Sequence, residues 1–213
     1  MRIVGGIWRR TPLAVADLAG LRPTPERVRE TVFDWIGHLL GTLEGSSVLD
    51  LFAGSGALGL EALSRGAASL DAVERDRRQA AAIEGVVKKL GAAAEVHVSD
   101  AFVYLEHGPD RTWDLIFIDP PFALDLQERA VRAALGKLAP DGVLYVERPG
   151  GETGEEVLSE LGLVRLRAGS AGAVSFELLA RRTSPLAALA REPKPAKRRG
   201  KQKERKNTKE AEE

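Results

Sequence analysis

The tetrapeptide Asp-Pro-Pro-Phe at residues 119–122 combines residue types that can orient a reacting amine, and it directly follows an apolar run. Pro120 and Pro121 fix φ and carry no backbone N–H, so the carbonyls of Asp119 and Pro120 remain free acceptors on a stiff loop. The Asp119 carboxylate and the Pro120 carbonyl can accept both N–H groups of an exocyclic amine and turn its lone pair toward an electrophile. Phe122 offers a face on which an extruded base can stack.

A glycine-rich turn forms the second candidate, because residues 54–59 read Gly-Ser-Gly-Ala-Leu-Gly after a short apolar run. Such a turn brings the backbone close to a ligand at the start of a helix. Asp50, just before it, would repel a pyrophosphate but attract the ammonium and sulfonium groups of S-adenosylmethionine. Glu74 is placed to accept hydrogen bonds from the ribose hydroxyls of an adenosine ligand. Asp100 has two interpretations, an adenine contact or a helix N-cap.

Five β-rich runs alternate with helical patterns, which predicts parallel strands joined by crossover helices. The predicted strands cover residues 47–52, 69–74, 95–99, 113–119 and 143–147, and the predicted helices cover residues 56–65, 76–90, 124–138 and 153–161. The carboxyl ends of parallel strands share one edge of a sheet. The acidic residues that close these strands, including Asp50, Glu74, Asp119 and Glu147, should therefore lie along one rim.

Two further β-rich runs, at residues 163–167 and 173–180, are separated by a segment too short for a crossover helix. They predict an antiparallel hairpin. A mostly parallel, seven-stranded α/β sheet that ends in an antiparallel hairpin strand resembles the class I S-adenosylmethionine-dependent methyltransferase fold, which is Rossmann-like. It differs from the all-parallel dinucleotide-binding arrangement.

The front of the chain is basic, since residues 1–30 hold six Arg against three acidic residues. Residues 2–15 predict two short strands around Trp8, and residues 25–40 predict a helix that Thr24 caps. An arginine guanidinium can donate two hydrogen bonds to a phosphate, and an indole ring can stack on a base. This hairpin and helix extension is therefore a candidate RNA-facing surface. The alternative is pairing of these arginines with glutamates on a solvated helix face.

Composition limits the remaining possibilities. The 213 residues hold 31 basic and 31 acidic residues, three His and no Cys, which excludes disulfides and cysteine metal sites, and we expect no metal. Ten basic and five acidic residues fall in residues 191–213, so an acidic body carries a basic tail. No apolar stretch approaches the roughly 20 residues of a membrane span, and arginines interrupt the N-terminus, so we expect a cytoplasmic protein without a membrane anchor. We expect three parts: an extension at residues 1–44, a methyltransferase-like domain at residues 45–183 and a disordered tail at residues 184–213.

Four motifs follow one another along the chain. They are Arg-Ile-Val-Gly-Gly-Ile-Trp-Arg at residues 2–9, Leu-Arg-Pro-Thr-Pro-Glu-Arg-Val-Arg-Glu at residues 21–30, Asp-Leu-Phe-Ala-Gly-Ser-Gly at residues 50–56 and Asp-Pro-Pro-Phe at residues 119–122. In these motifs the chain resembles the RsmD family of bacterial 16S ribosomal RNA guanine-N2 methyltransferases. The resemblance implies methyl transfer from S-adenosylmethionine to a guanine of 16S rRNA, in the small ribosomal subunit or its assembly intermediate. A monomer suits an enzyme that must dock on such a particle.

The same resemblance implies residue roles, in which Asp50 and the glycine turn hold the methionine part, Glu74 the ribose, Asp100 the adenine and the Asp-Pro-Pro-Phe loop the guanine. The expected cofactor-binding residues are Asp50, Phe52, Ala53, Gly54, Gly56, Glu74, Asp100 and Ala101. The expected catalytic residues are Asp119, Pro120, Pro121 and Phe122, and the expected RNA-binding residues are Arg2, Trp8, Arg9, Arg10, Arg22, Arg27 and Arg29.

Three alternatives remain open on the residues alone. A DNA adenine-N6 methyltransferase, or one acting on another RNA, would use the same Asp-Pro-Pro-Phe chemistry. An NAD(P)-dependent oxidoreductase would use the same glycine-rich turn, although Asp50 suits phosphates badly. A non-catalytic RNA-binding assembly factor would keep the fold without the reaction.

Overall fold

A seven-stranded sheet with helices on both faces forms the centre of the structure, a computed structural model that describes residues 1–13 and 25–190. The strands are β1 (Ser47–Asp50), β2 (Ser69–Glu74), β3 (Ala94–Val98), β4 (Trp113–Ile118), β5 (Leu138–Pro149), β6 (Leu163–Ala171) and β7 (Val174–Arg181). The helices are α1 (Glu26–Leu40), α2 (Ala57–Ser64), α3 (Arg77–Leu90), α4 (Ala101–His107), α5 (Gln127–Ala134) and α6 (Glu155–Glu160). In this described part, none of the helices is both long enough and apolar enough to span a membrane.

The strand order is β3-β2-β1-β4-β5-β7-β6, with β1 to β5 parallel and β7 antiparallel to both of its neighbours. This topology confirms the expected class I S-adenosylmethionine-dependent methyltransferase fold. The final hairpin is tighter than expected, because Ala171 still pairs with Val174 and Gly172 takes the turn at φ 62°. The predicted loop at residues 168–172 is therefore mostly β6.

Consecutive strand residues point to opposite faces, and each face has its own hydrophobic cluster. In β1, Val48 packs into the cluster shared with α1, α2 and α3, whereas Leu49 packs into the cluster shared with α4, α5 and α6. Strands that are covered on both faces need continuous apolar sequence, which explains the fully buried Leu-Ile-Phe-Ile run of β4.

Two helical segments differ from the prediction. Helix α4 was not among the predicted helices, because its seven residues are too few to show a helical period, and only the N-cap interpretation of Asp100 indicated it. The single helix predicted at residues 124–138 is broken into a 3₁₀ helix (Phe122–Leu124), α5 and a second 3₁₀ helix (Leu135–Lys137). Asp125 causes the first break, since its left-handed φ of 48° cannot continue a helix.

The N-terminal segment reverses direction with less strand structure than predicted. Arg2 and Pro12 form an isolated antiparallel bridge, and Ile3 exchanges backbone hydrogen bonds with Thr11 and Arg10 across the reversal. The prediction of two strands is therefore wrong for the described residues 2–13. Thr24, the predicted cap of α1, lies outside the described residues.

A buried ion-pair cluster fixes this N-terminal extension to α2. The fully buried Glu61 carboxylate accepts hydrogen bonds from Val4 N–H at 2.7 Å and from Arg65 Nε at 2.8 Å, and it lies 3.6 Å from Arg29 Nη1. Arg29 also donates to the Arg2 carbonyl at 2.9 Å. Burial lowers the pKa of the Arg29 guanidinium, and the charge of Glu61 opposes this effect. The extension is therefore part of the folded domain.

The predicted start of the disordered tail at residue 184 is wrong for its first residues. Ser184 is buried and caps a 3₁₀ helix (Pro185–Leu189), and Leu186 packs against the core. Arg167 of β6 donates to the Leu189 carbonyl at 2.9 Å. Residues 191–213 lie outside the described part, so the expectation of disorder for them stays a prediction.

Removing the Glu61 charge should destabilise the whole protein. We expect Glu61→Gln to lower the free energy of unfolding by about 3 kcal/mol, because it leaves Arg29 buried without a compensating charge. Urea denaturation measures the loss, and Glu84→Gln, an exposed carboxylate on α3, is the matched control. A loss below about 1 kcal/mol, typical of a surface pair, would contradict this account.

Candidate active site

A pocket of about 720 Å³ opens at the carboxyl ends of β1, β2, β3 and β4. This is the edge at which ligands bind in open parallel sheets. The predicted residues that line it are Asp50, Phe52, Ala53, Gly54, Glu74, Asp100, Ala101, Asp119, Pro120, Pro121 and Phe122. The structure thus brings all of the predicted cofactor and catalytic residues except Gly56 to one cavity.

Asp50 closes β1 and faces the pocket while remaining 2% exposed. Its Oδ2 accepts a hydrogen bond from Gly59 N–H at 3.0 Å. Burial raises the pKa of the Asp50 carboxyl to about 7, the negative charge of Glu74 adds to the rise and the Gly59 hydrogen bond opposes it. A carboxylate in this position gains stability when a cationic ligand group approaches, because the ligand replaces the lost hydration.

The glycines of the turn have separate physical roles. Gly54 adopts φ 54° and donates its N–H to Glu74 Oε2 at 2.9 Å, which joins the turn to the end of β2. Gly56 adopts φ 73° and points away from the pocket, since a Cβ there would lie 3.2 Å from Ile83 Cγ2. A Cβ on Gly59 would lie 2.6 Å from Leu70 Cδ1. The second and third glycines therefore serve the turn and the helix packing, and the structure does not support Gly56 as a ligand contact.

The acidic residues after β2 and β3 shape the other end of the pocket. Glu74 Oε1 accepts the Asp76 N–H at 2.8 Å, so the Glu74 carboxylate has a fixed position at the rim. Asp100 caps α4, accepting hydrogen bonds from Phe102 N–H at 2.9 Å and Val103 N–H at 3.3 Å, and it also lines the pocket. The N-cap interpretation of Asp100 is thereby confirmed, and its adenine contact stays a prediction.

The Asp-Pro-Pro-Phe loop forms the wall beside β4. Asp119 and Phe122 are half-buried, and the 3₁₀ helix that starts at Phe122 directs the chain back across the rim. Beneath the loop, Tyr145 Oη donates to the buried Glu147 carboxylate at 2.8 Å. Burial, followed by the charges of Glu147 and Asp119, holds the pKa of Tyr145 well above its ordinary value. Two carboxylates, Glu147 and Asp119, thus act on the Tyr145 hydroxyl at this end of the sheet.

The sequence did not predict several residues of the pocket. Arg75 and Asp76 follow Glu74 at the end of β2, and the rule that placed Glu74 at the rim could have included them. The other additional lining residues are Leu51, Ser55, Ala57, Leu58, Val73, Ala123, Leu124 and Leu126, whereas Ser99, which also lines the pocket, was expected at the rim together with Asp100. Most of these are apolar neighbours of predicted residues, and their types alone carry no signal.

The predicted RNA-binding residues that the structure describes are not among those lining the pocket. Arg2, Arg9, Arg10 and Arg27 are exposed and Trp8 is half-buried, but Arg29 is completely buried against Glu61. The prediction for Arg29 is therefore wrong, because its guanidinium is enclosed within the fold. Arg22 lies outside the described residues.

Trp8 is attached at the end of α2 that lies away from the pocket. The backbone N–H of Trp8 donates to Ser64 Oγ at 2.9 Å at the C-terminus of the helix, whereas Ala57 and Leu58 at the N-terminus line the cavity. The eight residues of α2 span about 12 Å, so the attachment point of Trp8 lies one helix length away from the pocket.

A second polar cluster lies outside the pocket. Asp71, Glu95 and His97 place potential ligand atoms within 4.8 Å of one another. The Asp71 carboxylate already has three partners, namely His97 Nε2 at 2.9 Å, Trp113 Nε1 at 2.8 Å and the Arg111 guanidinium. A guanidinium in this position opposes a second cation, so the cluster is best explained as a partly buried network, centred on Asp71, that joins β2, β3 and β4.

Comparisons with known proteins identify the family. The model of a family described as Conserved hypothetical protein 95 matches residues 1–180. Over 153 residues the chain is 41% identical to Ribosomal RNA small subunit methyltransferase D of Escherichia coli K12, covering 69% of this chain and 74% of that protein. The chain belongs to this family, RsmD.

Further RsmD relatives match over more of the chain. The Haemophilus influenzae protein of the same name is 34% identical over 184 residues, which is 84% of this chain and 92% of the relative. A solved structure described as the putative methyltransferase yhhF of E. coli aligns with a TM-score of 0.73 at 35% identity, covering 85% of this chain and 97% of that one. The resemblance to RsmD that the four sequence motifs indicated is confirmed.

Proposed function

We propose that this RsmD protein transfers a methyl group from S-adenosylmethionine to the exocyclic N2 amine of a guanine in 16S ribosomal RNA, within the small ribosomal subunit or its assembly intermediate. The names of the RsmD relatives support methyl transfer to small-subunit ribosomal RNA. The fold supports S-adenosylmethionine as the methyl donor. The guanine-N2 target is our finer proposal, and it follows from the resemblance and from the chemistry of the loop.

One observation carries the proposal: the buried Asp50 carboxylate and the Asp-Pro-Pro-Phe loop line the same pocket. A carboxylate with a raised pKa suits the cationic methionine end of the donor. A loop of fixed acceptors suits an amine. A site for the cationic donor and a site for the acceptor amine are therefore present in one cavity. A dinucleotide-binding site would not need the buried carboxylate of Asp50, and a purely structural turn would not need to share a pocket with it.

The residues of the chain have distinct tasks in this proposal. Asp50 holds the charged end of the donor, and Glu74 holds its ribose. When bound, S-adenosylmethionine supplies an electrophilic methyl group on a sulfonium. Asp119 and Pro120 accept the two amine N–H groups, which directs the nitrogen lone pair toward that methyl group, and Phe122 stacks on the guanine. The negative charge at Asp119 stabilises the positive charge that develops on nitrogen, and the proton leaves to water.

The surfaces outside the pocket complete the proposal. We assign RNA contacts to the exposed Arg2, Arg9, Arg10 and Arg27 of the extension at residues 1–44, with Trp8 as a stacking surface. The acidic domain at residues 45–183 performs the chemistry. We expect a cytoplasmic monomer, because its substrate is a ribosomal particle.

Methylation of a defined substrate tests the proposal. The full chain is incubated with labelled S-adenosylmethionine and small ribosomal subunits from a strain that lacks the RsmD enzyme, and the RNA is digested to nucleosides. We expect label in N2-methylguanosine. Label in another nucleoside, or preferred methylation of duplex DNA at adenine, would contradict the guanine-N2 assignment. Thermal stabilisation by NAD(P) but not by S-adenosylhomocysteine would contradict the methyl donor.

A further inference from the structure

A stacked pair of side chains bridges the first turns of α4 and α5. The guanidinium carbon of Arg129 lies 3.9 Å from the centroid of the Phe102 ring. Phe102 contacts Phe52 edge-on, with 6.4 Å between the ring centroids, and Phe52 lines the pocket. Both helices follow parallel strands, so their first turns lie at the carboxyl edge of the sheet. The pair therefore stands directly beside the candidate site, next to the lining residues Ala101 and Leu126.

Two exposed apolar side chains lie in the same segments as this pair. Val103 is 50% exposed and Leu124 is 48% exposed, and both lie on the same edge of the sheet as the pair. Five large apolar side chains are exposed in the described residues, and these two lie near the entrance of the pocket, where a bound RNA could contact them. A partner that stacks flat against apolar groups and also carries negative charge would match it.

Arg129 supplies the positive charge on this surface. Among the described residues no ion pair neutralises it, whereas Arg132, one turn later in α5, is held by Glu128 at 2.8 Å and Glu160 at 2.8 Å. The Arg129 guanidinium lies over the Phe102 ring, and the residue is exposed to solvent. Guanidinium planes stack on unpaired bases of single-stranded RNA. The pair is thus a flat, cationic platform beside the pocket.

We propose that Arg129, supported by Phe102, binds the RNA nucleotide adjacent to the target guanine by stacking its base on the free face of the guanidinium. The inference rests on the proposed function, because it requires an RNA whose modified base enters the pocket. Extruding that base unstacks its neighbour, which needs a new surface. The platform supplies that surface on the side of the pocket formed by α4 and α5, apart from the N-terminal arginines.

Binding measurements with a matched pair of variants test the platform. The full chain, saturated with S-adenosylhomocysteine, is titrated with fluorescent small subunits from the strain lacking the enzyme. We expect Arg129→Ala to weaken binding by about tenfold, the usual effect of removing one base-stacking group. Arg132→Ala, which removes an arginine from the same helix, should change binding less than twofold. Affinity for S-adenosylhomocysteine should be unchanged in both variants, since neither side chain lines the pocket.

Arg129→Lys separates stacking from phosphate contact. Lysine keeps the charge but has no plane, so we expect it to bind almost as weakly as Arg129→Ala, with the salt dependence of the wild type. Wild-type affinity in Arg129→Lys or in Arg129→Ala would overturn the proposal. Methylation of the same subunits by the wild type is measured in parallel, and it tests the proposed function independently of the Arg129 variants. A wild type that neither binds nor methylates them would overturn both.

Discussion

Replacing Asp50 with asparagine should stabilise the protein above pH 7 and at the same time weaken S-adenosylmethionine binding by about 100-fold. The amide oxygen can still accept the Gly59 N–H, so the local structure is kept. It cannot carry the charge that attracts the ammonium and sulfonium groups, and losing one partner of a buried charge pair costs about 3 kcal/mol or more. Isothermal calorimetry measures the affinity, and urea denaturation measures the stability.

The stability effect has a definite dependence on pH. The Asp50 pKa rises from an ordinary 3.8 to about 7 in the folded protein, so between these values the folded state binds more protons than the unfolded state. The contribution of Asp50 to the free energy of unfolding of the wild type therefore falls as the pH rises from about 4 to about 7, and it stays low at higher pH. At about 1.4 kcal/mol per pKa unit, Asp50→Asn should gain up to about 4 kcal/mol over the wild type at pH 8, and little at pH 4.

A control variant and a binding profile make the test specific. Asp34→Asn, an exposed carboxylate on α1, should show no such pH-dependent gain. In the wild type, affinity for S-adenosylmethionine should fall below pH 7, because the cation must displace a proton from Asp50. This dependence should be absent from Asp50→Asn. A variant less stable than the wild type at pH 8 would show that Asp50 is ionised and well compensated without the ligand.

Replacing Asp119 with alanine should abolish methyl transfer while leaving the donor bound. We expect kcat to fall by about 1,000-fold, because the variant loses both an amine-orienting acceptor and the charge that stabilises the developing cation. Asp50 and Glu74, which we assign to the donor, are unchanged, so the Kd of S-adenosylhomocysteine should stay within about threefold. Single-turnover methylation of small subunits measures the rate without a contribution from product release.

Two further variants define the role of Asp119. Asp119→Asn keeps one side-chain oxygen acceptor but loses the negative charge, so its rate should lie between those of the wild type and Asp119→Ala. Asp125→Asn is the matched control, because Asp125 is exposed, lies outside the pocket lining and adopts a left-handed φ that asparagine tolerates. It should retain activity. An Asp119→Ala rate within tenfold of the wild type would show that the reaction does not depend on this carboxylate.

The rim of the site was predictable from sequence because strand ends obey a local rule. Asp50, Glu74 and Asp119 each close an apolar run, and a parallel sheet brings such residues together whatever the details of packing. The role of Gly56 was less predictable. The spacing of the glycines marks the turn, but only the position of Ile83 shows that the second glycine faces a helix.

Partners from distant elements explain most of the remaining differences. Glutamates on the same helix made Arg29 a candidate for a surface ion pair, but its partner in the structure is Glu61 of α2. The composition of residues 185–189 is typical of a linker, but these residues form a 3₁₀ helix whose last carbonyl accepts a hydrogen bond from Arg167. The stacking of Arg129 on Phe102 likewise depends on how α4 and α5 pack together. Periodicity contains no information about such pairs.

The attachment of Val4 and Arg29 to Glu61 also sets an order of events during synthesis. A ribosome releases the N-terminal extension first, but its binding site on α2 does not yet exist. The contacts of Val4 and Arg29 with Glu61 can therefore form only after α2 has emerged and folded onto β1. Completion of the first βα unit therefore provides the buried partner that fixes Val4 and Arg29 in the folded domain.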